Sequence, residues 1–341
     1  MNVFIAGGTG AIGVPLVRQL VAAGHQVTAL TRSEANAGKL RALGATPAIA
    51  DALDADALRR VVVAAHPTHV IHELTALPKG GAKSARDLEP TNRLRIDGTR
   101  NLIAAAVAAG ARRIVAGSFA PIASAAIDGD KELAPAAAAI RSMESQVLDA
   151  SRSGTIEGVV LRYGLFYGPD AASTAEMMAM ARRRMLPAIR GDRSLLPCIH
   201  VEDAAAATIA ALDRAPAGTT YDIVDDQPVS FSEIVRAVAE VAHAPRPIAV
   251  PQWVPRLITP FMARIISVRL PLSNAKARAD LGWRPRYPNQ RRLPDRQRRS
   301  PPAHPRPGLR VRRRQHPHQL RGAGRHPHRL PRKNAGGGQE E

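Results

Sequence analysis

The chain has 341 residues, of which 45% are hydrophobic and only 3% aromatic, and it contains a single cysteine. This length is enough for one large hydrophobic core or for two smaller ones. The sequence has no apolar run of about 18 residues and no basic, apolar leader, so we expect neither a membrane span nor export. One cysteine excludes an internal disulfide, and we expect Cys198 to be a buried structural thiol in a cytoplasmic protein.

The net charge of +19 is concentrated near the C-terminus. Residues 289–341 hold 15 of the 48 Lys and Arg residues but only 3 of the 29 Asp and Glu residues. The rest of the chain is mildly basic, which does not indicate a nucleic-acid-binding domain. The terminal segment has eight prolines and no aromatic residue, as is typical of a disordered tail. It is either a basic arm for nucleic acid or a C-terminus translated out of frame, and its abundant Arg, Pro, His and Gly favour the second.

The N-terminus predicts a strand, a glycine-rich turn and a helix. The apolar run 3–6 reads as a buried strand, glycines follow at positions 7, 10 and 13, and apolar residues from 14 to 23 suit one helix face. Such a loop lets backbone amides at a helix start approach a pyrophosphate. We therefore predict that a dinucleotide binds along Gly7, Gly8, Thr9, Gly10, Ala11, Ile12 and Gly13.

The end of the second predicted strand, 26–30, indicates which dinucleotide binds. In a dinucleotide fold this position lies beside the adenine ribose, where an acidic residue would accept from the 2′-hydroxyl of NAD. Arg32 stands there instead, and a guanidinium matches the 2′-phosphate of NADP. We therefore expect NADP, with NAD as the alternative because Glu34 is close; a plain surface arginine is the other interpretation of Arg32.

Strands and helices then alternate. Strands are predicted at 46–50, 69–72 and 112–118, and helices at 34–43, from near 54, and at 91–109. This rhythm predicts a parallel sheet covered on both faces, with ligands at the carboxyl ends of its strands. Asp51 follows the third strand, where it could accept from adenine or cap the next helix. The histidines at 66, 69 and 72 lack the spacing of a helix-borne metal site, so we expect no metal.

The second half mixes further helices with one more strand. Helices are predicted at 174–185, 201–212, 230–242 and 253–267, and a strand at 221–225. Methionines and arginines on the first of these helices are typical of an adaptable core and a solvated face. We divide the chain into a dinucleotide-binding domain (1–165), a substrate lobe interleaved with the last strands of the sheet (166–288) and the basic tail (289–341).

Five motifs and a closing segment carry a family resemblance. Residues 1 to about 288 resemble the extended short-chain dehydrogenase/reductase superfamily, often called the NAD-dependent epimerase/dehydratase family. The resemblance implies a doubly wound Rossmann α/β sheet with a smaller C-terminal α/β lobe. The segments that carry it are Gly7–Gly13, Asp51–Asp54, Gly98–Leu102, Leu161–Pro169, Ile199–Ala204 and Leu281–Pro285.

The resemblance also implies which residues lie near the cofactor. Besides the glycine loop and Arg32, it places Asp51, Ala52 and Leu53 near adenine and Leu74, Thr75 and Ala76 near the ribose and nicotinamide. It places Ser118 and Tyr163 near the nicotinamide, and it gives His200 and Asp203 structural work at the edge of the substrate lobe.

The catalytic pattern of the family is largely missing. Family enzymes use a Ser after the fifth strand and a Tyr followed four residues later by a Lys, which lowers the tyrosine pKa. Ser118 is present, but the tyrosine position is Ala136 and the lysine position is Ile140. The asparagine that usually precedes the Gly-Thr pair is replaced by Arg95. Ser118 is therefore the remaining catalytic candidate, and a weak one.

Two functional hypotheses follow. The first is an NAD(P)-dependent oxidoreductase or epimerase/dehydratase-like enzyme with an atypical active site, acting on a carbonyl or sugar-like small molecule. The second is a catalytically silent sensor that binds NADP(H). In both cases we expect a small-molecule ligand, no membrane or nucleic-acid partner, and a homodimer as the assembly to test.

Overall fold

The computed structural model describes residues 1–78, 80–123, 129–169 and 171–287. The predicted tail at 289–341 lies outside these residues. The first half alternates as predicted and consists of β1 (Asn2–Ala6), α1 (Gly13–Ala22), β2 (Gln26–Thr31), α2 (Glu34–Ala42), β3 (Thr46–Ile49), α3 (Ala55–Ala65), β4 (His69–His72), α4 (Glu89–Arg93), a π-helical turn (Leu94–Gly98), α5 (Thr99–Ala108), β5 (Arg113–Phe119), α6 (Ala120–Ala123), α7 (Ala134–Arg152) and β6 (Glu157–Tyr163).

The second half adds short strands and helices, and it returns one strand to the central sheet. Its elements are β7 (Leu165–Tyr167), α8 (Ala172–Arg182), β8 (Ala188–Ile189), β9 (Cys198–His200), α9 (Val201–Arg214), β10 (Thr219–Ile223), α10 (Phe231–Val241), β11 (Ala249–Val250), α11 (Trp253–Ile258), α12 (Pro260–Ile266) and α13 (Ala275–Leu281). Two small parallel pairs, β7 with β9 and β8 with β11, lie outside the central sheet.

The central sheet has seven parallel strands in the order β3-β2-β1-β4-β5-β6-β10. Strand order reverses between β1 and β4, and ligands of open α/β sheets bind at the carboxyl ends of strands beside such a point. The fold is therefore the doubly wound Rossmann-type sheet expected from the sequence. It positions a site where β1, β4, β5 and β6 end.

Both faces of this sheet are buried, because successive residues of a strand point to opposite sides. In β1, Val3 and Ile5 join the core formed with α1 and α9, whereas Phe4 and Ala6 join the core formed with α3 and α5. Each of these four side chains is fully buried. This explains why β1 reads as an unbroken apolar run.

Two predicted helices differ from the observed ones. The helix predicted over 253–267 is two helices, since it breaks at Thr259 in front of Pro260, whose ring cannot accept a preceding helical turn. The helix predicted over 91–109 is interrupted by the π-helical turn Leu94–Gly98, where the backbone is wider than in an α-helix. Arg95 lies within this turn. Such turns are frequent at functional sites.

The closing segment of the fold is fastened to α9. Asp203 accepts hydrogen bonds from the backbone N–H groups of Arg286 and Tyr287, each at 2.9 Å, and its carbonyl accepts from the Trp283 indole at 3.0 Å. The Tyr287 ring stacks on His200 at 4.2 Å between ring centroids. His200 and Asp203, to which the family resemblance gives structural roles, therefore hold this segment in place.

The predicted burial of Cys198 is confirmed, since its side chain is only 5% exposed and burial raises the pKa of its thiol above the usual value. Within the described ranges, no helix combines the length and the apolar character that crossing a bilayer requires.

Candidate functional site

The loop between β1 and α1 has a backbone that only glycine can follow at two positions. Gly7 has φ +108°, and a Cβ there would lie 2.4 Å from the carbonyl oxygen of Glu73. A Cβ on Gly13 would lie 2.1 Å from the carbonyl oxygen of Gly7. Both contacts are with backbone, which cannot move away without distorting the sheet. The two glycines therefore let the loop pack tightly over the ends of β1 and β4.

The start of α1 offers hydrogen-bond donors to an external anion. Ile12 is the N-cap residue, and no side chain caps the helix there. In the described part of the chain the backbone N–H groups of Ala11, Ile12 and Gly13 have no acceptor. Gly10 is exposed, and a Cβ there would meet only the Gly7 carbonyl, at 3.3 Å. A diphosphate fits this arrangement of free donors and open backbone.

Arg32 follows β2 and is exposed, and the described residues provide no acceptor or ion-pair partner for its guanidinium. The nearby acidic residue, Glu34, instead forms an ion pair with Arg41 at 2.7 Å. At the end of β2, a free cation thus stands beside a carboxylate that is already paired.

The alternative that Asp51 caps a helix is wrong. Asp54 caps α3, since its Oδ1 accepts from the Ala57 N–H at 2.9 Å. Asp51 accepts from the Leu53 N–H through one carboxylate oxygen, also at 2.9 Å, and its side chain is exposed. The Ala52 carbonyl accepts from the Asn101 amide at 3.0 Å, which fixes the turn after β3 against α5.

The segment after β4 runs across the carboxyl edge of the sheet. The Leu74 N–H donates to His72 Nδ1 at 3.2 Å, and the Ala76 N–H donates to Thr91 Oγ1 at 2.9 Å. Thr75 lies between them with an exposed side chain. The hydrogen bonds hold the backbone of this segment and leave Thr75 facing outward.

Ser118 is part of a buried polar group that joins two strands to a helix. Its hydroxyl donates to Glu144 Oε1 at 2.6 Å, and Arg162 donates to both oxygens of Glu144, at 2.9 and 2.6 Å. Ser118 is 4% exposed and points to the α7 face of the sheet. Its proton is thus committed to Glu144, which argues for a structural role and against the catalytic role predicted from the sequence.

Hydrocarbon fills the place where the family has its tyrosine and lysine. Ala136 is 1% exposed and Ile140 is fully buried, and both pack in a cluster with Leu133, Phe261 and Ile265. The last two residues come from α12. No proton donor can therefore act from these two positions of α7.

A different polar chain stands at the carboxyl edge, on the α9 face of the sheet. Glu73 directly follows β4, and its Oε1 lies 2.9 Å from the Tyr163 hydroxyl. That hydroxyl lies 2.7 Å from Thr208 Oγ1, which in turn donates to the Ala204 carbonyl at 2.8 Å. Tyr163 and Thr208 are buried, whereas Glu73 is partly exposed. The chain thus leads from the protein interior to the sheet edge.

Burial indicates that Glu73 is protonated at neutral pH. It raises the pKa of the Glu73 carboxyl group to about 8, and the hydrogen bond that Tyr163 donates to Oε1 of the ionised form opposes this only in part. In the ionised form Thr208 can donate to Tyr163. In the neutral form the carboxyl group can instead donate to Tyr163, Tyr163 to Thr208 and Thr208 to the Ala204 carbonyl.

Two glycines make room for Glu73. Besides the contact at Gly7, a Cβ on Gly117 of β5 would lie 2.2 Å from Glu73 Oε2. Sequence reasoning missed Glu73 because its partners are 90 or more residues away in the chain. A carboxylate directly after an apolar strand, at the edge where ligands bind, was the available indication.

Arg95 occupies the position of the family asparagine, in the π-helical turn. Its side chain is buried, with 8% exposed, and burial lowers the pKa of its guanidinium to about 10. It therefore stays charged at neutral pH. Burial of the His72 ring, together with the Arg95 charge, lowers the pKa of His72 to about 4. His72 is therefore neutral, and its ring hydrogen-bonds Thr99 at 2.8 Å.

Comparison with known proteins agrees with this architecture. A family model described as "NAD dependent epimerase/dehydratase family" matches residues 3–224. A Streptomyces protein named 3-diazoavenalumate denitrifying reductase is 35% identical over 306 residues, which cover 85% of this chain and 98% of that protein. A 2-alkyl-3-oxoalkanoate reductase of Stenotrophomonas maltophilia is 27% identical over 266 residues, covering 72% of this chain and 77% of that protein.

The solved structures give the same result. The UDP-glucose 4-epimerase of Thermus thermophilus in complex with NAD is 25% identical and superposes with a TM-score of 0.68, over 84% of this chain and 94% of that one. Family model, relatives and fold all agree on an NAD(P)-dependent oxidoreductase or epimerase-like protein. The chain belongs to the NAD-dependent epimerase/dehydratase family.

Proposed function

We propose that this protein is an NAD(P)H-dependent reductase of a small carbonyl compound, in which Glu73 replaces the missing tyrosine and lysine as the proton donor. The observation that carries the proposal is the hydrogen-bonded chain Glu73–Tyr163–Thr208, which holds a carboxyl group of raised pKa at the carboxyl edge of the sheet. The two relatives described above are both named as reductases, which supports the same reaction class.

The chain's own residues divide the work of binding in this proposal. Backbone N–H groups of Ala11, Ile12 and Gly13 hold the diphosphate at the positive end of α1. The segments 51–53 and 74–76 lie along the adenosine and the second ribose. When bound, the reduced cofactor supplies a hydride, and the protein supplies position, proton and electrostatics.

Glu73 holds the proton that the reduction consumes. As the substrate carbon accepts a hydride, its oxygen takes the proton from the Glu73 carboxyl group, so that an alcohol is formed. The Tyr163 O–H then turns from Thr208 and donates to the new carboxylate, which stabilises that negative charge. Glu73 is a partly exposed residue at the sheet edge, and a proton from solvent restores the acid. A pKa of about 8 suits this task, since the acid is still protonated at neutral pH.

We further propose that NADP is preferred over NAD. The support is the guanidinium of Arg32 at the end of β2, which has no partner among the described residues, and the ion pair of Glu34 with Arg41. Replacing Arg32 by Ser should weaken NADPH binding by about tenfold or more and leave NADH binding nearly unchanged. Isothermal titration with both cofactors measures this, and equal losses for the two would refute the preference.

Turnover decides the proposed function itself. Oxidation of NADPH is followed at the reduced nicotinamide band with a panel of ketones and aldehydes, for the wild type and for Glu73→Gln. Glutamine can still donate a hydrogen bond to Tyr163 but cannot transfer a proton to the substrate. We therefore expect unchanged NADPH affinity and a rate lower by about 10²–10⁴. Wild-type silence towards every carbonyl, or full activity of the variant, would refute the proposal.

An aryl diazonium compound serves as a contrasting substrate, because one relative's name refers to a diazo compound and to denitrification. An aryl diazonium ion that accepts a hydride releases N₂ and forms an arene without consuming a proton. Glu73→Gln should therefore reduce carbonyl turnover and spare diazonium turnover, after subtraction of the reaction without protein. Equal losses on both substrates would show that Glu73 does not act as an acid.

The homodimer and the cytoplasmic location remain part of the proposal. The buried thiol of Cys198 suits a reducing compartment. Light scattering coupled to size exclusion tests the assembly, and fractionation of the producing cells tests the location.

A further inference from the structure

Arg95 carries a buried charge that nothing in the described part of the chain neutralises. Its side chain is 8% exposed, yet its guanidinium has no hydrogen-bond acceptor and no carboxylate within ion-pair distance among those residues. The other buried arginine of the described residues, Arg113, donates to Glu157 and to the carbonyls of Ala211 and Leu212. The contrast sets Arg95 apart from an arginine that serves the fold.

The position of Arg95 follows from its helical register. Thr99 lies four residues after Arg95, hence on the same helix face, and contacts His72, the last residue of β4, at 2.8 Å. Its hydroxyl also donates to the Arg95 carbonyl at 2.6 Å. Arg95 is thus one turn beyond the level at which β4 ends. The Arg95 charge also acts on His72, so the guanidinium lies near the end of β4, at the edge where ligands of this fold bind.

A largely buried guanidinium without an anion is unfavourable for the free protein, since it has given up most of its water without gaining a partner among the described residues. Arginine cannot avoid this cost by losing its proton at neutral pH. An anion that enters the site would restore the lost interactions, and a carboxylate matches the guanidinium fork through two parallel hydrogen bonds. The burial of Arg95 therefore favours a ligand that brings a negative charge.

We infer that Arg95 binds a carboxylate group of the substrate, an inference that rests on the reductase function proposed above. The cofactor diphosphate has its own donors at the start of α1, beyond the end of β1 rather than beside α5. The helix that packs against the Arg95 turn, α7, contributes Ala136 and Ile140 to a buried apolar cluster that also contains Leu88 and Phe261. The packing on this side of the turn is therefore apolar, and we expect a substrate with an apolar body and one carboxylate.

The test compares acids with their amides. NADP-loaded protein and cofactor-free protein are titrated with aliphatic and aromatic carboxylates, cinnamate among them, and with the matching primary amides. We expect at least one acid to bind the wild type about tenfold or more tighter than its amide. Arg95→Met should abolish that difference and keep the NADPH affinity within about twofold. Arg100→Met, which removes an exposed arginine one turn further along the helix, is the matched control and should change neither.

Stability gives a readout that is independent of ligand choice. Arg95→Met removes the uncompensated charge, so we expect the free variant to have a higher Tm than the wild type, and Arg100→Met to have an unchanged one. The inference is overturned if no acid binds better than its amide, if Arg95→Met weakens NADPH binding, which would assign Arg95 to a cofactor phosphate, or if its Tm falls. If the wild type did not bind NADPH, the proposed function would be refuted. The role of Arg95 would still be decided, because the acid and amide titrations of the free protein need no cofactor.

Discussion

Replacement of Glu73 by Gln should change how the stability of the protein depends on pH. The pKa of Glu73 is raised in the folded state from 4.5 to about 8, mainly by burial. A group with a raised pKa contributes stability that is complete below its unfolded value and is lost as the pH rises through the folded one. The wild type should therefore lose stability between about pH 4.5 and pH 8, because the unfolded chain ionises first.

The size of this effect follows from the shift. The full shift corresponds to roughly 5 kcal/mol, and partial exposure of the carboxyl group lowers our expectation to about 2–3 kcal/mol. Glutamine fills the same space, can donate to Tyr163 and does not titrate. We expect the two proteins to be equally stable near pH 5, and the variant to be the more stable one by about 2–3 kcal/mol at pH 9.

Urea unfolding of both proteins from pH 5 to pH 9, followed by circular dichroism, measures the difference in the free energy of unfolding. Glu132→Gln, which changes an exposed carboxylate, is the control and should run parallel to the wild type throughout. A difference that stays constant with pH, or one in which the wild type gains stability as the pH rises, would show that Glu73 is ionised in the folded protein at neutral pH.

Three further substitutions test other parts of the site. Gly13→Ala places a Cβ 2.1 Å from the Gly7 carbonyl oxygen, so thermal unfolding should show stability lower by about 2–3 kcal/mol and titration should show a loss of NADPH binding. Gly38→Ala, whose Cβ meets nothing within 4 Å, should preserve both stability and binding. Ser118→Ala removes one hydrogen bond to a carboxylate and should lower the free energy of unfolding in urea by about 1–2 kcal/mol, with turnover changed by no more than about threefold. A variant that is about 100-fold slower would show that Ser118 is catalytic. Tyr163→Phe removes the hydroxyl that stabilises the Glu73 carboxylate formed by proton transfer, so carbonyl turnover should fall about tenfold or more at unchanged NADPH affinity, and unchanged turnover would contradict this role of Tyr163.

Local sequence pattern predicted the parts of the site that lie within one strand–loop–helix unit. The apolar run of β1 and the glycine spacing were sufficient to predict the turn and the helix start, because both are determined by neighbouring residues. The parallel pairing of the sheet was also accessible, since apolar strands that alternate with helices pair in parallel. The break at Pro260 was readable from the missing N–H of proline and was overlooked.

The chemistry of the site could not be read in the same way. Ser118 was found by its place in the chain, but whether its side chain faces Glu144 or the ligand edge depends on the strand register. The pKa of Glu73 is raised by burial that only the folded chain creates, and its hydrogen-bond partner Tyr163 is 90 residues away in the chain. The sequence shows Arg95 in place of an asparagine, whereas only the folded chain shows that no described residue pairs with its guanidinium.

The pH profile of single-turnover carbonyl reduction by NADPH-saturated protein tests the central claim most directly. If Glu73 is the proton donor, the wild-type rate is constant below neutral pH and decreases as the pH rises through about 8, where the acid loses its proton. Glu73→Gln should show a slow rate without this transition. A wild-type profile that is flat up to pH 9, or a Glu73→Gln profile that keeps the same decrease, would contradict the account.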